Sequence, residues 1–195
     1  RIVADVISGK INPSGKLPTT FPKDYSDVPS WNFPGEPKDD PRKIIYEEGI
    51  YVGYRYYDTF GVEPAYEFGF GLSYTAFEYK NLKIEVLENA VKVSFEITNT
   101  GNLPGKEVAQ IYVRAPKGKI DKPLQELKGF HKTRLLNPGE TEEVTIEIDF
   151  SSLASFNGES WLVEKGEYEL RIGSSSRDIR LIGKFILDEE KKYPP

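Results

Sequence analysis

The sequence predicts a mainly β chain: a seven-stranded β-sandwich over residues 80–187, led by the tail of an α/β layer and a long aromatic, glycine-rich connector. Three observations predict it. Residues 91–97 alternate, with Val91, Val93, Phe95 and Ile97 facing one way and Lys92, Ser94 and Glu96 the other. Similar short runs recur to residue 187, separated by turn signals and without a helical period. Before them, residues 46–79 hold eight of the twelve tyrosines with four phenylalanines and five glycines, a composition suited to packed contact and not to a free loop.

The chain opens on RIVADVISGK, which reads as the last turns of a helix. Ile2, Val3, Val6 and Ile7 share one helical face, and Gly9 stands where a helix stops. So short a helix is marginal alone, so residue 1 is expected to lie inside a longer protein of which this is the C-terminal part. Residues 10–22 carry the turns Asn12-Pro13 and Ser14-Gly15, then an extended piece closed by Pro22, as at the exit of an α/β layer. Residues 23–45 are proline-rich and show no period. Trp31 and Phe33 either pin this excursion down or form a wall beside a ligand.

The connector, residues 23–79, ends in the aromatic stretch 46–79, read as a clamp between two bodies. Arg55 sits among Tyr54, Tyr56 and Tyr57, placed to stack on a ring, to pair with a carboxylate across an interface, or to meet a sugar. Asp58 and Glu67 flank the aromatic loop and read as a turn-capping Asp and a solvated Glu. Glu47 and Glu48, adjacent on a strand, would face opposite sides. Gly69 and Gly71 in FGFG read as tight-turn glycines, since no strand-loop-helix context for a phosphate cradle surrounds them.

Beyond residue 80 the elements follow in order. After 91–97 comes the turn NTGNLPG (99–105), then EVAQIYVRA (107–115), then a loop with Pro116 and Gly118. LQELKGFHKTRLL (124–136) follows, and after the turn NPGE the residues Val144, Ile146 and Ile148 mark another strand. SSLASF (151–156) reads as a corner, Asn157-Gly158 as a hairpin turn, and 167–173 and 179–187 as the last strands. Cysteine is absent, so the Cys…Trp…Cys signature of immunoglobulin domains is missing and a fibronectin type III-like (immunoglobulin-like) sandwich fits better. Tyr168 stands where a tyrosine corner belongs. His131, the only histidine, lacks partners spaced for a metal site or triad and reads as a strand residue on the surface. Residues 188–195 read as a polar, solvated and frayed tail.

Composition narrows the function. Net charge of −5 argues against nucleic-acid or membrane partners. No apolar run approaches the ~20 residues a membrane helix needs. Without cysteine there is no disulfide, thiol nucleophile or thiolate metal site, and no cofactor or metal is expected. The lack of Met and Cys, only two glutamines (Gln110 and Gln125) and abundant Glu, Lys and Arg suit a protein selected for heat.

Five segments in order, NPSGKLPTTFP (12–22), EGIYVGYRYYD (48–58), FGFGLSYT (68–75), NTGNLPGKEVAQIYV (99–113) and ELKGFHKTRLLNPGE (126–140), together resemble the C-terminal part of glycoside hydrolase family 3, the β-glucosidase and β-xylosidase group, most of all its thermophilic bacterial three-domain members. Departures are Glu67, where the family often has Pro, and Phe70, where Tyr is common. The resemblance implies a barrel domain and an α/β sandwich domain upstream as partners. Residues 1–22 would end the α/β domain, 23–79 connect, and 80–187 form the fibronectin-like domain. A retaining glycosidase needs two carboxyls roughly 5–5.5 Å apart. In the family both lie on upstream domains, and neither motif occurs here, so no catalytic residue is carried over. Arg55, Tyr57 and Trp31 remain the substrate-binding candidates, and oligosaccharide is the implied substrate of the whole enzyme. The resemblance thus implies a chain that is inactive alone and braces the catalytic domains; against that stand two alternatives, a carbohydrate-binding module with an exposed aromatic row and an adhesion-type spacer.

Overall fold

The computed structural model describes residues 2–31, 42–44 and 46–194; Phe33 lies outside them. Helix α1 (Ile2–Ile7) stops as the sequence anticipates, with Gly9 at φ +75°, a left-handed turn that costs glycine little. Its apolar face is uncovered among the described residues: Ile2, Val3 and Ile7 are 73%, 71% and 77% exposed. The helix is held through Tyr74, whose hydroxyl donates to the Val6 carbonyl at 2.9 Å.

Residues 16–21 then run antiparallel to 65–70. Leu17 N–H donates to the Phe70 carbonyl (2.8 Å), Gly69 N–H to Leu17 (2.9 Å) and Phe21 N–H to Tyr66 (2.8 Å). The leading segment is therefore stitched to the connector. The connector is less irregular than the sequence suggests, because α2 (Tyr54–Phe60) lies within it. YRYYDTF has no clean apolar period. It is helical between Gly53 and Gly61, both at positive φ, rests on a sheet through Tyr54 and buries Tyr57, so tertiary packing sets it more than propensity.

The strands are β1 (Phe77–Val86), β2 (Ala90–Asn99), β3 (Val108–Arg114), β4 (Glu126–Lys132), β5 (Thr141–Asp149), β6 (Ser155–Phe156), β7 (Trp161–Val163), β8 (Gly166–Gly173), β9 (Ile179–Leu187) and β10 (Lys191–Tyr193). Seven of them form the sandwich. One sheet has the order β1-β2-β5 and the other β4-β3-β8-β9, every pair antiparallel. The inward set named by alternation, Val91, Val93, Phe95 and Ile97, is at most 1% exposed, facing Ala109, Ile111, Leu170 and Ile172 at 0%. Each such aliphatic or aromatic side chain contributes about 1.5–3 kcal/mol. β1 starts at Phe77, inside the stretch read as connector, and carries Phe77 and Tyr79 into this core.

Tyr168 does form a tyrosine corner: it is fully buried and its hydroxyl donates to the Glu164 carbonyl, four residues back, at 2.7 Å. The Asn157-Gly158 hairpin is present, with the Asn157 side chain accepting from the N–H groups of Glu159 and Ser160. The fourth strand is shorter than the run 124–136 implied. Leu136 leaves the sheet and bridges Gly105, where it is fully buried. The tail is a second correction. Lys191–Tyr193 pairs with β7 as the outer strand of a small sheet of order β10-β7-β6, and Lys191 Nζ sits 5.0 Å over the Phe150 ring. Charge alone suggested fraying; the open edge of β7 supplies the ladder that orders it.

Candidate functional site

The distinctive site of this chain is the seam where the connector crosses the outer face of the four-stranded sheet. β3 records it directly. Its inward residues Ala109, Ile111 and Val113 face the core, yet the outward Gln110 and Tyr112 are also buried, at 3% and 0% exposure. A strand buried on both faces needs a cover, and α2 with the 67–70 turn is that cover. Tyr112 packs its ring edge-on against Tyr54 (5.7 Å, 77°), and Tyr54 lies 4.8 Å from Phe68.

Buried amide groups at the seam find partners on both sides of it. Tyr112 donates to Gln110 Oε1 at 2.5 Å, and Gln110 Nε2 donates to the carbonyls of Ser174 (2.7 Å) and Gly69 (3.2 Å). Gln125 Nε2 donates to Asp58 Oδ2 (2.9 Å) and to the Ser176 carbonyl (2.8 Å). The chain's only two glutamines are thus both spent here. Leu127 N–H donates to the Tyr54 hydroxyl (2.8 Å), and Leu124 N–H to Thr59 (2.9 Å). Gly69 has φ +81°, and a Cβ there would fall 2.1 Å from Gln110 Oε1, so the FGFG motif is explained by backbone conformation and close approach.

Arg177, on the loop between β8 and β9, closes the seam. Its Nε reaches Asp58 Oδ1 at 3.0 Å, Nη1 reaches Glu63 at 2.7 Å, and Nη2 reaches the carbonyls of Val62 (2.7 Å) and Tyr57 (3.2 Å). The planar fork suits this many-sided grip. Burial pushes the Asp58 carboxyl up, against the pull of Gln125 and Arg177. Its side chain is only 5% exposed. Glu67 instead accepts from Ser175 Oγ at 2.8 Å. Both carboxylates therefore converge on the 174–178 loop as braces, and Glu67 is bonded where solvation was expected.

Of the three substrate-binding candidates, Arg55 and Tyr57 come together on α2. Arg55 Nη2 pairs with Glu126 of β4 at 2.8 Å, the cross-interface ion pair among its anticipated roles. Tyr57 is 3% exposed, with its ring edge-on to Tyr56. Burial, then the nearby Asp27 carboxylate, pushes its hydroxyl pKa up. Trp31 lies in the turn after Tyr25–Asp27 and remains 49% exposed, with no ring partner among the described residues. His131 is paired on the surface with Glu142 at 2.7 Å. Among the described residues no cluster of three or more His, Asp or Glu could hold a metal, and no helix is long and apolar enough to cross a membrane. Sequence reading missed Arg177, Gln110 and Gln125. The one available signal was polar Gln110 inside the apolar run of β3.

Comparisons agree with this architecture. Residues 1–54 match the glycosyl hydrolase family 3 C-terminal domain, and residues 107–176 match the fibronectin type III-like domain. Thermostable beta-glucosidase B of Acetivibrio thermocellus is 48% identical over 186 residues, covering 92% of this chain and 24% of that protein. The exo-alpha-(1->6)-L-arabinopyranosidase of Bifidobacterium breve is 40% identical, covering 99% of this chain and 25% of that protein. The solved structure of beta-glucosidase 3B from Thermotoga neapolitana in complex with alpha-D-glucose superposes with a TM-score of 0.96 at 69% identity, over 100% of this chain and 27% of that one. The chain thus spans about a quarter of the length of the relatives it matches. With both domain matches in order along the chain and the relatives' fold reproduced, the chain belongs to glycoside hydrolase family 3, as a C-terminal part of it that includes the fibronectin type III-like domain.

Proposed function

We propose that this chain is the C-terminal brace of a retaining β-glycosidase, a β-glucosidase, which releases terminal β-D-glycosyl residues from oligosaccharides with both catalytic carboxyls on upstream barrel and α/β domains. In this reading residues 1–22 close the α/β sandwich domain, the following stretch connects as far as Phe77, and the strands from β1 onward form the fibronectin-like domain, with residues 191–193 folded back onto β7. The observation that carries the reading is the bare face of α1. Three aliphatic side chains more than 70% exposed on one six-residue helix mark an interface awaiting its partner. The seam fits the same role, since Asp58 and Glu67 are occupied in bracing and offer no free acid/base pair. The relatives' names include an arabinopyranosidase beside β-glucosidases, which supports a scaffold shared across sugar specificities.

The test is hydrolysis of an aryl β-glucoside by this chain alone and after recombination with its N-terminal remainder. Activity only after recombination supports the brace. Turnover by the chain alone overturns it and directs attention to Asp58 and Glu67.

A further inference from the structure

The strand made by the tail completes an aromatic row. In the small sheet Phe156 of β6 is the register partner of Trp161 of β7, and Trp161 is the register partner of Tyr193 of β10. Directly opposed residues on antiparallel strands project from the same face. The three side chains therefore stand in a row across two strand spacings, roughly 10 Å, with Tyr193 half-buried and packed also against the core. Trp161 and Phe156 keep 44% and 47% of their surface exposed, 5.5 Å apart and tilted by 53°.

The row forms one wall of an open groove of about 680 Å³, within the size range of small-molecule sites. The same groove is lined by charged side chains already held in place. Glu126 is bridged by Arg55 Nη2 (2.8 Å) and Lys128 Nζ (3.2 Å), Lys128 also donates to the Ser152 carbonyl (2.7 Å), and Asp121 accepts from the Tyr51 hydroxyl (2.7 Å). The groove's charged lining is two cations and two carboxylates, so it selects neither an anion nor a cation. An apolar peptide covering it would desolvate those charges without return. A sugar chain matches both sets of side chains: each pyranose offers C–H faces to rings and hydroxyls that donate and accept at once. The tilt of the rings makes a cleft for one soluble strand and not a platform for a crystalline surface.

We propose that this groove binds a neutral oligosaccharide chain, stacked along Phe156, Trp161 and Tyr193, with hydroxyls on the Arg55–Glu126–Lys128 network.

The test is calorimetric titration of the chain with a β-1,4-linked glucose hexasaccharide. Emission is followed in parallel in a Trp31→Phe background, where Trp161 is the remaining tryptophan. A saturable heat with a shift of Trp161 emission is expected, weakened about tenfold, about 1.4 kcal/mol, in Trp161→Ala. Tyr193→Ser, which removes a ring from a different strand, is expected to weaken binding in the same direction. No saturable binding overturns the proposal, as does unchanged affinity in both variants, or preference for a sulfated glucan over the neutral chain. Binding is read here without hydrolysis, so this inference and the brace fail separately.

Discussion

Arg177 and Asp58 lie 119 residues apart in the chain and meet at 3.0 Å, the one joining the last β-turn of the sandwich to the helix of the connector. The same guanidinium takes up Glu63 and two carbonyls that close α2. One side chain therefore ties the connector to the loop between β8 and β9 at four points.

Replacing it tests that weight. Arg177→Ala leaves Asp58 buried without its cation, and is expected to cost about 3 kcal/mol, the lower end for breaking a buried pair because Arg177 keeps 27% exposure. Asp58→Asn in the Arg177→Ala background removes the stranded charge and is expected to recover part of the loss. Thermal melts of the four proteins of the cycle measure it, and additive effects would deny the coupling.

The candidates on α2 separate structure from substrate contact. In the full enzyme Tyr57→Ala, at a 3% exposed ring, is expected to lower stability by about 3–5 kcal/mol. Arg55→Ala, at a half-exposed ion pair, is expected to cost about 1 kcal/mol or less. Melting temperature and KM are measured together. A large rise in KM with an unchanged melt would move these residues into the substrate site.

Acid tolerance draws on the same loop. A hydrogen bond from Arg180, together with one from Ser174, holds the Asp178 carboxyl below its ordinary value of 3.8. A lowered folded-state pKa means stability that is fully present above 3.8 and is lost as pH falls through the folded value. Melts between neutral pH and strong acid should show a shallower acid limb for Asp178→Asn than for the parent. Parallel limbs would show that the pair stores no pH-dependent stability.

Much of the fold is legible in the order of residues because core-facing strands carry their own period. Val91 to Ile97 announce their faces through alternation, and Gly9 announces the end of α1 through the φ it alone adopts cheaply. Tyr168 is legible from its place at the start of a strand. The seam is less so: Gln110 looks like a break in an apolar run until α2 is laid over it, and Arg177 sits in SSSRD, a stretch without period or motif. Polar partners are chosen by which loops meet, and nothing local marks the meeting.

By itself, then, the sequence determined the sandwich, the apolar helix face, the family resemblance and the lack of the family's catalytic motifs, since each is written in local pattern or short motif. Only the tertiary structure decided that α2 covers β3, that Arg177 holds Asp58, and that the charged tail folds back to set Tyr193 beside Trp161. Those outcomes rest on contacts between residues far apart in the chain. Their free energy comes from burying and pairing groups together, which no single segment encodes.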